Sequence, residues 1–238
     1  MDLDRITYPL RLARGSHQPG SGKGCAMNAI SYIKGDEQIT DFPATSARPL
    51  ASFVQLCNDM LAGPDGYLSP EDSLTVLGLG WLTVGTAEVA DTVVHTWVTE
   101  LLISPPWGVV GYAEGAAAAA ISTIAELHQQ LSPGDPPSIG AWDSAARAAR
   151  AISSALPVGA ERYAVRAAYQ STALVETDDW DTLDAVTGNA LRAHRLANMD
   201  TGTGHIVDVT RNAIRSWRRL AGLSNGGARA NSLNQLWR

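Results

Sequence analysis

The chain has 238 residues, of which 45% are hydrophobic and 18% charged, and this composition is typical of a globular protein with a sizeable core. No apolar stretch approaches the roughly 20 residues of a membrane-spanning helix. The N-terminus also lacks the apolar segment of a signal peptide. We therefore expect a cytoplasmic protein without a membrane partner, in which both cysteines are free thiols.

The net charge of −6 is unevenly distributed along the chain. The segment 192–238 contains eight arginines and two aspartates, so it carries a charge of +6, and the segment before it carries about −12. This asymmetry favours an anionic partner for the C-terminal end of the chain.

The N-terminal segment is predicted to be extended, because apolar residues alternate from Ile6 to Leu12. Pro9 lacks the backbone N–H that a central strand would need for its sheet hydrogen bonds. The sequence therefore predicts a short extended arm rather than part of a large sheet.

The rest of the chain has helical periodicity. Ile33 should lie on the apolar face of the first helix, which Gly35 ends, and Cys57 belongs to the apolar stripe of the second. Ser69 and Thr86 are expected to cap the two helices that follow. The predicted helices, one of them alanine-rich, cover about residues 26–34, 50–61, 70–84, 87–104, 112–131, 139–155, 159–176, 179–199 and 205–222.

These elements predict an all-α protein, either a multi-helix bundle or a short α-solenoid, with the N-terminal extended arm. The solenoid alternative comes from a Trp-Asp pair that opens two helices 38 residues apart. The stretch SPGDPP at 132–137 is the clearest linker. It separates an N-terminal helical part, 1–131, from a C-terminal helical part, 138–238, unless the two form one continuous domain.

The stretch PGSGKG at 19–24 resembles a phosphate-binding loop. A Walker A loop has the pattern G-x-x-x-x-G-K-[ST], whereas here His17 occupies the first glycine position and Gly24 follows Lys23. The buried parallel strands that support such a loop are also missing from the predicted elements. We therefore expect no nucleotide and no other cofactor.

Cys25 begins a predicted helix, where the helix dipole favours a thiolate. The surrounding residues, CAMN, are similar to the catalytic box of papain-like deubiquitinases, in which a histidine acts as base. His205 would be that histidine here, oriented by Asp208 or Asn212. The helical periodicity after His205 argues against the supporting sheet, so a structural thiol is the favoured interpretation.

The remaining histidines show no spacing that predicts a metal site. No pair has the HxxxH pattern, and the cysteines have no CxxC partner. We therefore expect no metal.

The helix predicted at about 205–222 has two opposed faces. Its apolar face should be anchored by Trp217. The opposite face presents four arginines that are candidates for binding an anionic partner: Arg211, Arg215, Arg218 and Arg219. Because the rest of the chain is acidic, an acidic protein surface is favoured over nucleic acid.

Residues 17–59 resemble an uncharacterised family of predicted proteins of actinobacteria and their phages. The family pattern runs Cys-x-Met-Glu-Ala, then Ala-Gly-Glu, Ser-Asp-x-Pro and Pro-Val-x-Ala-Ala-Phe, and ends in Trp-Asn-Asp. The segments VGTAEVAD at 84 and SWRRLAGL at 216 are also similar to later family segments. The matching residues in the first quarter are Cys25, Met27, Ala29, Gly35, Asp41, Pro43, Pro49, Phe53, Asn58 and Asp59.

The resemblance implies an all-α fold and an actinobacterial or actinophage source, and it implies no reaction. This chain has Asn28 where the family often has glutamate, which puts any role of that carboxylate in doubt. The polar motif residues either cap helix ends or surround a pocket, and the sequence leaves both open. These pocket candidates are Cys25, Asn28, Asp41, Asn58 and Asp59.

The sequence therefore predicts a non-catalytic α-helical binding protein whose partner is another protein or a second copy of the chain. One alternative is an enzyme with Cys25 as nucleophile and His205 and Asp208 in support. A second alternative is a nucleic-acid-binding protein that uses the arginines of the C-terminal helix. If the protein is phage-encoded, its location is the cytoplasm of a bacterial host.

Overall fold

The computed structural model describes residues 11–17, 21–131, 136–175, 180–202 and 204–223. This part of the chain forms an all-α, multi-helix bundle without β-strands, as the sequence predicts. None of its helices is both long and apolar enough to cross a membrane. The helices are α1 (Ala26–Lys34), α2 (Arg48–Leu61), α3 (Pro70–Leu82), α4 (Asp91–Ile103), α5 (Gly115–Gln129), α6 (Ile139–Ala155), α7 (Ala160–Ser171), α8 (Trp180–Ala197) and α9 (Gly204–Leu220).

Residues 11–17 run as an extended segment between α1 and the α2–α3 loop. Ala13 forms an isolated antiparallel bridge with Tyr67. Its backbone N–H donates to the Gly24 carbonyl, and the Leu68 N–H donates to the Leu12 carbonyl, each at 2.9 Å. Most of the predicted arm, residues 6–10, lies outside the described residues.

The helix ends read from the sequence are largely confirmed. The Ser69 hydroxyl accepts a hydrogen bond from the Asp72 N–H at 3.0 Å and so caps α3. Gly35 ends α1 with a φ of 78°, the left-handed conformation that glycine adopts at little cost. The helices after the predicted linker begin and end within about five residues of their expected positions.

Two local expectations are wrong. Thr86 does not cap α4, which begins at Asp91, because its buried hydroxyl is used elsewhere. That hydroxyl accepts from the Ala47 N–H at 2.9 Å and donates to the Thr83 carbonyl at 2.5 Å, which ties the start of α2 to the end of α3. Ile33 is 54% exposed, because α1 turns its last residues away from the bundle.

The hydrophobic core continues across the predicted linker at 132–137. Helix α2 packs against α8, and α5 packs against both α6 and α7. A single cluster of buried side chains contains residues from both sides of the linker. The helices assigned to 1–131 and to 138–238 therefore share one core.

Aromatic side chains join three helices at the centre of this core. The rings of Trp97 and Trp217 meet edge to face with centroids 5.3 Å apart, and Phe53 packs edge-on against Trp97 at 5.8 Å. Both indole N–H groups are satisfied, since Trp97 donates to the Ala213 carbonyl at 2.9 Å and Trp217 to the Thr86 carbonyl at 3.2 Å. These contacts fix α9 against α2 and α4.

Trp217→Ala should lower the free energy of unfolding by about 3–5 kcal/mol, because removal of a fully buried indole leaves a cavity. Trp217→Phe loses the hydrogen bond to Thr86 but keeps a ring against Trp97, so it should lower the free energy of unfolding by less than Trp217→Ala does. Denaturant unfolding followed by circular dichroism measures both. A Trp217→Ala protein as stable as the parent would contradict this assignment of the core.

Candidate functional site

The polar motif residues meet at the start of α1. Cys25 is the residue before the helix, and its backbone N–H donates to the Asn28 Oδ1 at 3.0 Å. The Asn28 Nδ2 donates to the Asp41 Oδ1 at 2.8 Å. The other oxygen of Asp41 accepts from the Gln55 Nε2 at 3.1 Å. The loop after α1 is thereby attached to both α1 and α2.

Asn58 and Asp59 extend this network to the extended N-terminal segment. The Asn58 side chain is fully buried; its Oδ1 accepts from the Ala26 N–H at 3.3 Å, and its Nδ2 donates to the Ala13 carbonyl at 2.9 Å. The Asp59 Oδ1 accepts from the Gly15 N–H at 2.8 Å. The five pocket candidates thus form two hydrogen-bonded groups, Cys25–Asn28–Asp41 and Asn58–Asp59, which meet at the start of α1.

The geometry of this network favours a structural role for the motif. Its donors and acceptors bind one another and the backbone, as buried polar groups must. The N–H groups of Cys25, just before α1, and of Ala26, the first residue of α1, donate to Asn28 and Asn58. They are therefore unavailable to a phosphate, although the start of the glycine-rich loop, 18–20, lies outside the described residues.

The Cys25 thiol is buried and protonated. It donates to the Asp41 Oδ1 at 3.4 Å, and burial, assisted by the negative charge of Asp41, raises its pKa to about 12. Cys57, which was expected in the core, is also fully buried, and burial raises its pKa to about 12. Neither thiol is poised as a nucleophile at neutral pH.

The other members of the hypothetical cysteine site have their contacts elsewhere. His205 lies in the first turn of α9, not on a strand, and its ring contacts Tyr112 and His194. Asp208 forms an ion pair with Arg211 at 2.5 Å. The described contacts therefore do not bring Cys25, His205 and Asp208 together.

A buried chain of hydrogen bonds links His95, His128 and Ser171. The Ser171 hydroxyl donates to the Ala168 carbonyl at 2.7 Å, so it must accept from the His128 Nε2, 2.9 Å away. The Nδ1 of neutral His128 then accepts from the His95 Nδ1 at 3.0 Å. Although the residue types are those of a hydrolase, the serine is fully buried and its proton is directed at a carbonyl, so it is no nucleophile.

A second polar cluster contains Tyr112, His194 and His205. The Tyr112 hydroxyl lies 2.8 Å from the His194 Nδ1, and the Asn198 Nδ2 donates to the same hydroxyl at 3.2 Å. The His194 Nε2 lies 2.9 Å from the Trp107 carbonyl. This cluster joins α8, α9 and the 3₁₀ turn Val109–Tyr112.

Three of the four arginines of α9 are engaged within the protein. Arg211 pairs with Asp208, and Arg219 pairs with Glu100. Arg218 donates to carbonyls at the end of α3, those of Leu82 at 3.1 Å and Val84 at 3.3 Å. Arg218 therefore joins α9 to the end of α3, where it binds carbonyls that the helix leaves without helical partners.

Arg215 is the exception within the described residues: it is exposed, and no hydrogen bond or ion pair holds its guanidinium. It lines an open groove of about 310 Å³ between one face of α9 and the chain after α4. The groove is lined by Glu100, Pro105, Pro106, Trp107, Asn212, Arg215, Ser216 and Arg219.

Sequence reasoning missed both histidine clusters. The pairs are 33 and 11 residues apart, so neither has the spacing of a helical motif. The one available signal was that His194 and His205 flank the turn between the last two predicted helices, which brings their ends together. Among the described residues, no three side chains of His, Cys, Asp or Glu form a metal-binding group.

The fold and these contacts define an α-helical protein whose described residues form buried polar clusters and line a cationic groove. No protein family, curated protein or solved structure matches the chain in the comparisons with known proteins. The resemblance to actinobacterial and actinophage proteins therefore stays a prediction.

Iodoacetamide at pH 8 should label neither cysteine of the folded protein. With a pKa of about 12, only about one thiol in ten thousand is ionised at that pH. Unfolding in guanidinium should expose both thiols and give two labels, counted by intact mass spectrometry. Rapid labelling of Cys25 in the native state would contradict the structural assignment.

The buried histidines should make the protein acid-sensitive. Burial, together with a neighbouring histidine, lowers the pKa of His128 to about 3 and that of His194 to about 4. Because His128 and His194 take up protons near pH 6.5 in the unfolded chain but only at lower pH in the folded one, stability should fall as the pH drops from about 6.5 towards these values.

Urea unfolding at a series of pH values measures this effect. His128→Gln should flatten the dependence of the unfolding free energy on pH, because a glutamine does not titrate. A parent protein equally stable at about pH 6.5 and pH 4 would refute the assignment of neutral buried histidines.

Proposed function

We propose that this protein is a non-catalytic binding protein that recognises an acidic segment of another protein through the groove beside α9. The observation that carries the proposal is the exposed Arg215 guanidinium, which lines the groove without an ion-pair partner among the described residues. An unpaired arginine is suited to bind a carboxylate through two parallel hydrogen bonds.

The other charged groups of the groove support this choice of partner. Glu100 accepts a hydrogen bond from the Ser216 hydroxyl at 2.6 Å and pairs with Arg219, so its negative charge is already compensated. The groove therefore retains one positive charge, that of Arg215. The exposed rings of Pro105 and Pro106 offer an apolar surface beside it. An acidic segment that also carries an aromatic or aliphatic side chain complements both features.

Nucleic acid fits this surface less well. Binding a duplex depends on several phosphate contacts at once. Three of the four arginines are engaged in intramolecular contacts, and the whole chain has a net charge of −6. The enzyme alternative has less support still, because Cys25 is buried and protonated.

The resemblance to actinobacterial and actinophage proteins adds a setting to the proposal. The partner would then be met in the cytoplasm of a bacterial host, and it could be phage- or host-encoded. A second copy of this acidic chain is the other possible source of a segment with the required charge.

Fluorescence polarisation with three labelled probes tests the proposal: a peptide with glutamates around a central phenylalanine, the same peptide with glutamines, and a short DNA duplex. The acidic peptide should bind best, and more weakly as salt is added. Arg215→Gln should raise its Kd by about tenfold or more, since a charge-assisted hydrogen bond contributes about 1.5–3 kcal/mol.

Arg147→Gln is the matched control, because Arg147 is an exposed arginine on α6, away from the groove. It should leave the Kd unchanged. Equal binding of the acidic and glutamine peptides, a preference for the duplex, or an unaltered affinity in Arg215→Gln would each refute the proposed function.

A further inference from the structure

Three polar atoms from three different elements converge beside the α8–α9 turn. The Tyr112 Oη lies 2.8 Å from the His194 Nδ1 and 3.3 Å from the His205 Nε2. The His194 Nδ1 and the His205 Nε2 are 3.1 Å apart. The three atoms therefore form a nearly equilateral triangle, with each atom in reach of both others.

The protonation of His194 follows from its backbone contact. Its Nε2 lies 2.9 Å from the Trp107 carbonyl, which can only accept a hydrogen bond, so Nε2 carries the proton. The Nδ1 of the neutral ring then directs a lone pair into the triangle.

We propose that Tyr112, His194 and His205 together bind one divalent transition-metal ion of the zinc type. A tetrahedral ion with bonds of about 2.0–2.1 Å holds its ligand atoms about 3.3 Å apart, close to the three sides of this triangle. Two imidazoles and a phenol suit Zn²⁺, Co²⁺ or Cu²⁺ rather than Ca²⁺ or Mg²⁺, which prefer several carboxylate or carbonyl oxygens.

The surroundings of the triangle are those of a ligand set. A metal-binding histidine usually donates its second ring N–H to a carbonyl or carboxylate, as His194 does to Trp107. The Asn198 Nδ2 donates to the Tyr112 Oη at 3.2 Å, which would stabilise a phenolate on the ion. His194 is fully buried, whereas Tyr112 and His205 are partly exposed, so an ion has a path from solvent. A fourth position remains for water.

The same triangle is also consistent with hydrogen bonds alone, in which the Tyr112 O–H donates to the His194 Nδ1. The two states differ in their proton balance. A tyrosine hydroxyl is protonated at neutral pH, so coordination of the Tyr112 oxygen as phenolate would release that proton. Affinity for the ion should therefore increase with pH, and the ultraviolet spectrum of tyrosinate should appear on binding.

The test uses tag-free protein that has been treated with a chelator and is then titrated with ZnCl₂ by calorimetry and with CoCl₂ by visible absorption. We expect one ion per chain, the absorption bands of tetrahedral cobalt and a higher melting temperature with zinc. His205→Gln and Tyr112→Phe should each raise the Kd by at least about tenfold, the loss that even an outer-shell substitution causes.

His95→Gln is the matched control, because it removes a partly buried histidine from the other cluster. It should retain the affinity and the cobalt spectrum of the parent. Circular dichroism verifies that each variant is folded. A parent without saturable one-to-one binding, or binding that both His205→Gln and Tyr112→Phe retain, would overturn the proposed site.

Discussion

The edge-to-face contact between Trp97 and Trp217 is the interaction on which the position of α9 depends. Both rings are fully buried, and each indole N–H reaches a backbone carbonyl on a different element. The Trp217 indole therefore fixes both the rotation of α9 about the helix axis and the distance between α9 and α4. Every functional feature proposed for α9 follows from that rotation, because the arginines and His205 lie at fixed angles from Trp217 along the same helix.

With Trp217 inward, the arginines of α9 meet three different surroundings. Arg218 reaches carbonyls at the end of α3, Arg219 reaches Glu100 on α4, and Arg215 faces the open groove. A helix-wheel argument treats all of them as one exposed basic face, yet neighbouring helices compensate some of these charges and leave one unpaired. The cationic character of the groove is thus produced by packing and not by the number of arginines.

Buried polar groups are the second constraint on this bundle. A polar group without a hydrogen bond in the core costs several kcal/mol, about 2–7 depending on the reference state. The motif around Cys25 meets this constraint by using Asn28 and Asn58 as caps of the α1 start. A glutamate at position 28 could accept from the Cys25 N–H but could not donate to Asp41. The buried histidines meet the same constraint by remaining neutral.

The sequence by itself determined the helices and most of their ends, because apolar spacing, Ser69 and Gly35 act over a few neighbouring residues. It also identified the buried face of α9, which is a local pattern, whereas the residues of the polar motif were predicted through the family resemblance. Thr86 shows the limit of such reasoning. A threonine after a glycine predicts a helix cap, but the Thr86 hydroxyl instead bonds to Ala47, which is distant in sequence, and to Thr83 at the end of another helix. Only the tertiary structure decided that His194 and His205 meet Tyr112, and that Arg215 alone among the arginines of α9 lacks a partner in the described part of the chain. The residues in these contacts are separated by between 11 and more than 100 positions in the sequence. The geometry of the contacts depends on how whole helices pack, which no local pattern encodes.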